Sequence, residues 1–131
     1  MAVTHSGSAK AAATNAVTAL LGAGALLTFR ITGTIGFPGT VVATLPLSAT
    51  PFAAANGTTG IAAANAITSD TAAAGNASPV ATAALQTSGA VLIIHCAVAA
   101  SASDINMSGG LTIGAGDTVS CSSLTYQAIP S

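Results

Sequence analysis

The sequence predicts a mainly β protein, an antiparallel β-sandwich or open barrel with one N-terminal α-helix, forming a single domain over residues 1–131. Three observations predict this class. The opening 22 residues are rich in helix formers, with apolar residues at helical spacing. After Gly24 the apolar period changes to two, and turn residues recur at about 8–12-residue intervals. Finally, 32 Ala, 14 Gly, 13 Ser and 18 Thr dominate the 131 residues. Such small side chains let sheets pack closely. At about 25 cal/mol per Å² of apolar area, each supplies little burial energy.

The helix is expected over 8–22. Ser8 can cap it, and Ala13, Ala16, Val17, Leu20 and Leu21 make one apolar stripe. Gly22 and Gly24 stop it. So few large residues make it marginal alone, so it needs a sheet or a neighbouring subunit to pack on. The β-rich body spans 25–131. Its first hairpin joins Leu26 to Ile31 with Thr40 to Leu47 through Gly33 to Gly39. Leu27, Phe29 and Ile31 share one face, as do Val41, Ala43, Leu45 and Leu47. Pro46 limits the second arm to a sheet edge or falls among its last residues. Pro51 and Phe52 anchor the following turn.

Ala53 to Ile67 is ambiguous, because Gly57, Thr58, Thr59 and Gly60 interrupt an Ala-rich run; Asn65 to Thr68 reads as a short strand. Val80 to Thr87 and Ala90 to Ala99 form the clearest hairpin, joined by Ser88 and Gly89. In its second arm Leu92, Ile94, Cys96 and Val98 face one way and Val91, Ile93, His95 and Ala97 the other. Both faces are apolar, which predicts a central strand covered on both sides. Asp104 to Met107 and Leu111 to Ile113 read as short strands. Thr118 to Ile129 reads as a final strand with a bulge between Cys121 and Leu124.

Only five side chains carry formal charge: Lys10, Arg30, Asp70, Asp104 and Asp117, for a net charge of −1. An average domain is about one quarter charged. There is no basic patch to meet nucleic acid phosphates. The hydrophobicity argues against disorder, and the missing acids and bases argue against an enzyme. A free monomer would spread five charges over roughly 6,000 Å², so the chain is expected to associate with copies of itself. Ala11 to Phe29 lacks charge but carries Thr14, Asn15, Thr18, Gly22, Gly24 and Thr28, a poor membrane span. Lys10, Ala16 to Leu27 and Ala23-Gly24-Ala25 also fit a signal-peptide layout; the folded helix is the preferred reading.

Residues with chemical potential are few. Cys96 and Cys121 read first as small core residues, and second as a disulfide should their strands pair. His95 and Cys96 are strand neighbours, so their side chains point to opposite faces and cannot share a metal or act as base and nucleophile. His5 with His95 falls short of a zinc site. Asp70, Asp104 and Asp117 sit at turns, where Asp bonds backbone N–H groups. No cofactor or metal is expected.

Several segments together resemble a known group. They are the Ala-rich first helix, Leu27-Thr28-Phe29-Arg30, Val42 to Ser48, Pro51 to Ala55 with Gly57 or Gly60, and Gly116 to Ser120 with Ser123 to Tyr126. The chain resembles small β-rich structural proteins of tailed bacteriophages, and is similar to capsid decoration (cement) proteins. Thr71 to Ala100 departs from that group in having fewer charges and more Ala. The resemblance implies a protein on the outside of the virion's capsid, assembled in the bacterial host cytoplasm. Its partners would be the major capsid protein and copies of itself, a trimer being favoured. Val17, Leu20 and Leu21 on the helix, Leu45, Pro46 and Leu47 on the edge strand, and Phe52 are the expected contact residues. A neck, tail or fibre-base protein is the alternative. A carbohydrate- or ice-type binding module ranks third, because the Thr residues do not repeat at a fixed period.

Overall fold

A computed structural model describes residues 3–130. The chain is mainly β, with a curled, half-barrel sheet and one short helix. The helix α1 (Gly7–Ala19) is followed by β1 (Leu26–Arg30), β2 (Val41–Pro46), β3 (Ile61–Ala63), β4 (Thr82–Gln86), β5 (Leu92–Ala99), β6 (Ile105–Asn106) and β7 (Thr125–Gln127). The large sheet has the order β2-β1-β4-β5-β6, antiparallel except for the short β5–β6 pair. The second sheet is only β3 and β7, three residues each. The open, curled sheet is thus the architecture observed; β3 and β7 are too small to make the second layer of a sandwich.

Both predicted hairpins form, and both carry a register shift. On β1–β2, Phe29 pairs with Ala43 but Arg30 with Val41, leaving Val42 as the extra residue. Val42 therefore turns inward beside Ala43 and is buried, where alternation alone had assigned Val41. On β4–β5, Leu85 pairs with Ile94 but Gln86 with Leu92. The extra residue, Ile93, packs against the core with Ile94 and Cys96, and Leu92 shifts to Gln86's face.

The core lies against one face of the large sheet. Leu27, Phe29, Ala43, Leu45, Ala83 and Leu85 line that face. Leu21, Leu47, Phe52, Val80, Ile113 and Val119 pack onto it from the connecting segments. The outer edge of β2 is closed by the chain itself. Thr68 N–H donates to Pro46 O, Gly75 N–H to Val42 O, and Thr44 N–H to the Asp70 carboxylate at 2.8 Å.

Helix α1 starts earlier and ends earlier than the expected 8–22. Ser6, not Ser8, is its cap, accepting from Ala9 N–H. Gly7 lies against the backbone of Gly57 and Thr58, where any side chain would collide, and that contact draws the start upstream. The buried face is not the apolar stripe either. Thr14 and Thr18 are buried, while Ala16 and Leu20 are exposed. Thr14 Oγ1 donates to Gly60 O at 2.6 Å and accepts from Ala128 N–H at 3.1 Å. One hydroxyl thereby joins the helix, the 56–60 turn and the C-terminal segment. The helix packs on β3 and β7, whose neighbouring backbone needs hydrogen bonds more than apolar cover.

Three further expectations are corrected. Asn65 to Thr68 forms only an isolated bridge at Ile67. Leu111 to Ile113 forms backbone bonds to Val80 and Asn76 without becoming a strand. Thr118 to Ile129 is not one strand with a bulge: Val119 pairs with Asp70, and regular pairing resumes only in β7. Outside β7 these segments make only isolated long-range backbone bonds, to Pro46, Pro51, Ala64, Val80, Asn76 or Asp70, too few to build a ladder.

Candidate functional site

The expected contact residues divide by burial. Leu21, Leu45, Leu47 and Phe52 belong to the core of the chain itself. The Leu45-Pro46-Leu47 edge is covered by the 67–75 segment, which withdraws it from the surface except at Pro46. On the helix Val17 is half-buried and Leu20 is 61% exposed. Leu20, Pro46 and part of Val17 remain as outward-facing members of the set.

Residues outside that set carry more exposed apolar surface. Phe37 is 84% exposed and Ile35 57%, both on the loop joining β1 to β2. Val91 and Val3 are also exposed. The turn residues Gly33, Gly36, Pro38 and Gly39 mark this loop in the sequence, but a loop reading gives no reason to single out the one Phe within it.

Arg30 anchors the base of that loop. It is 7% exposed, and among the described residues no carboxylate bonds it. Its guanidinium donates to Gly39 O at 2.7 Å, to Gln86 Oε1 at 2.9 Å and to Thr28 Oγ1 at 3.2 Å. Burial pushes its pKa below the usual arginine value. The group nevertheless stays charged at any physiological pH. Three neutral oxygens therefore hold a buried cation whose work is structural: it ties β1, β4 and the loop together.

The three carboxylates serve the backbone, as expected of turn aspartates. Asp70 accepts from Thr44 and Ala72, Asp104 from Ala97, and Asp117 from Gly114. Asp104 also caps the outer edge of β5, since Ala97 N–H points away from β4. Asp104, Asp117 and Cys121 are among the residues lining an open cleft of about 570 Å³, together with Phe29, Ile113 and Val119. Among the described residues no cluster of three His, Cys, Asp or Glu is arranged to hold a metal ion.

Both cysteines are free thiols. Burial, with the negative charge of Asp104 adding to it, pushes the Cys96 thiol up to about 11. Burial also raises Cys121, against a backbone hydrogen bond with Ser123 that acts in the other direction. Both are therefore poor nucleophiles at neutral pH. His95 lies on Ala84's side of the sheet and Cys96 on Ala83's, so the two do point apart. His95 Nε2 is the one buried side-chain polar atom without a hydrogen-bond partner among the described residues. His5 is exposed near the N-terminus.

Compared with known proteins, the chain matches no family model, no curated protein and no solved structure. No described helix is long and apolar enough to cross a membrane.

Proposed function

We propose that this chain is a virion structural protein that decorates the outside of a bacteriophage capsid and stabilises the shell. The observation that carries the reading is the make-up of its surface. With Arg30 buried, four charged side chains serve 6669 Å² of accessible surface, while Phe37, Leu20 and Ile35 stand exposed. Such a surface suits a protein that spends its life covered by neighbours. A ligand that binds only the assembled shell stabilises it by mass action. Contacts built from neutral groups make that binding insensitive to salt. Thiols held protonated and carboxylates committed to backbone N–H groups fit a contact role better than a catalytic one.

Quantitative mass spectrometry of purified particles tests the reading, using the phage or prophage that encodes the chain. Hundreds of copies per particle support decoration. A dozen or fewer place it at the neck, tail or fibre base, and its absence from particles overturns both. Leu20→Asp is expected to lower shell occupancy without unfolding the chain, because Leu20 already faces water.

A further inference from the structure

Helix α1 is fastened to the body by polar contacts. It spans 13 residues, and the only side chains it buries are Thr14 and Thr18. Thr18 Oγ1 bonds inside the helix, to Asn15 O, and so fastens nothing else. The Thr14 hydroxyl is the latch: it donates to Gly60 O and accepts from Ala128 N–H. Asn15 Oδ1 adds one bond on the exposed flank, accepting from Ala55 N–H at 2.9 Å. Elsewhere the contact runs through glycine. A Cβ on Gly7 would strike Gly57 O, and one on Gly60 would strike Lys10. The main packing partners of the helix are the three-residue strands β3 and β7.

The surface under the helix is built without it. The 56–60 turn closes on its own bonds: Gly60 N–H donates to Asn56 O at 2.8 Å, and Thr58 and Thr59 N–H donate to Asn56 Oδ1. Gln127 Nε2 ties that turn to β7 by donating to Thr59 O at 2.8 Å. Two residues past the helix, Leu21 is buried in the core and acts as a tether.

We infer that α1 is a strap, released from β3 and β7 as one unit while the large sheet stays folded. Release takes no large apolar side chain of the helix out of the core, and burial of such side chains is what makes most elements costly to undock. The bonds given up are those of Thr14 and Asn15, each of modest net worth. A helix of this length is marginal once unsupported and forms cooperatively, so its residues leave together. Segments with few buried apolar contacts are the ones that open below global unfolding. Release bares Gly60 O and Ala128 N–H, which the closed strap keeps from solvent. This device goes beyond the capsid reading and does not rest on it.

Native-state amide exchange of the full chain tests it, read in α1 and β1 together. The α1 amides are expected to exchange as a group, faster than those of β1 and with a weaker urea dependence, because a partial opening exposes less surface. Leu27→Ala separates the two events. Leu27 is packed in the sheet whether the strap is closed or released, so α1 exchange is expected to stay unchanged while β1 exchange rises by about 30-fold or more. Val42→Ala, a smaller truncation at another buried site, gives the same reading should Leu27→Ala not fold. Thr14→Arg, too large for its buried site, is expected to free the helix while β1 and β4 keep their protection. An α1 that exchanges at the β1 rate, or that follows β1 in Leu27→Ala or Val42→Ala, overturns the inference. So does a Thr14→Arg chain that loses protection throughout.

Discussion

Strands β1 and β5 lie two places apart in one sheet and differ in the wrong direction for their composition. β1 reads Leu-Leu-Thr-Phe-Arg and is buried along nearly its whole length, the Thr and Arg included. β5 reads Leu-Ile-Ile-His-Cys-Ala-Val-Ala, is far more apolar, and is half-exposed at almost every position. Sheet order explains the inversion. β1 lies between β2 and β4, and β2's free edge is closed by the 67–75 segment. β5 is flanked on its outer side only by the two-residue β6, which reaches just Val98 and Ala99. Burial here follows neighbours rather than hydrophobicity. The cation in β1 is tolerated because three oxygens meet it.

The largest expected effect is at the centre of that contrast. Leu27→Ala in β1 removes a fully buried side chain and is expected to destabilise by about 2–5 kcal/mol. The matching change in β5, Leu92→Ala, is expected to cost less than about 1 kcal/mol, since Leu92 is half-exposed. Urea midpoints at constant slope measure both, and equal losses would remove the distinction between the strands.

Next comes Arg30→Ala. It removes one donor from buried Gln86 Oε1, which keeps only the Thr28 hydroxyl at 3.4 Å, and one from the part-buried Gly39 O, and is expected to cost about 1–3 kcal/mol. It should also speed amide exchange in the 31–40 loop, because the bond from Arg30 to Gly39 O is lost. A loop exchanging at the wild-type rate would mean that its other contacts hold it.

Thr14→Val keeps the shape but removes both bonds of the hydroxyl, leaving Gly60 O and Ala128 N–H unpaired. A loss of about 1–3 kcal/mol is expected. Thr18→Val, whose hydroxyl bonds only within its own helix at 3.3 Å, should cost less.

The smallest effect is a titration in β5. The Cys96 thiol sits near 11 in the fold against an ordinary 9.0. The fold prefers the neutral thiol, so its contribution is full below pH 9 and is lost as pH rises from 9 towards 11. At pH 8 the thiolate fraction is about 100-fold below that of a free thiol, and alkylation in the native state should be slower in proportion than in urea. Equal rates in both states would show that β5 opens readily at its outer edge.

Much of the architecture was legible, and what was missed shares a cause. Both hairpins were readable because Gly33 to Gly39 and Ser88-Gly89 punctuate alternating runs. The faces of Leu27, Phe29, Ala43 and Leu45 follow from the same alternation. The two register shifts were not readable, because a bulge is set by how two strands meet, and Val41 and Val42 are chemically alike. The helix face is not legible because Ala carries almost no directional signal, whereas the one hydroxyl of Thr14 has backbone partners 46 and 114 residues away. Among the contact residues, Leu20 and Leu21 are adjacent and identical, and only the turn after Ala19 sends one outward and the other inward. Phe37 carries no signal of its own, because loop chemistry is read from glycine and proline.

By itself the sequence determined the class of fold, the placement of its turns and the scarcity of charge, since these depend on local backbone preference and on composition. Tertiary structure alone decided which apolar residues are hidden. With so many small side chains, several packings satisfy the pattern equally well. The choice among them came from long-range hydrogen bonds at Thr14 and Arg30, from glycines that admit close backbone contact, and from which strand edges the chain could cover.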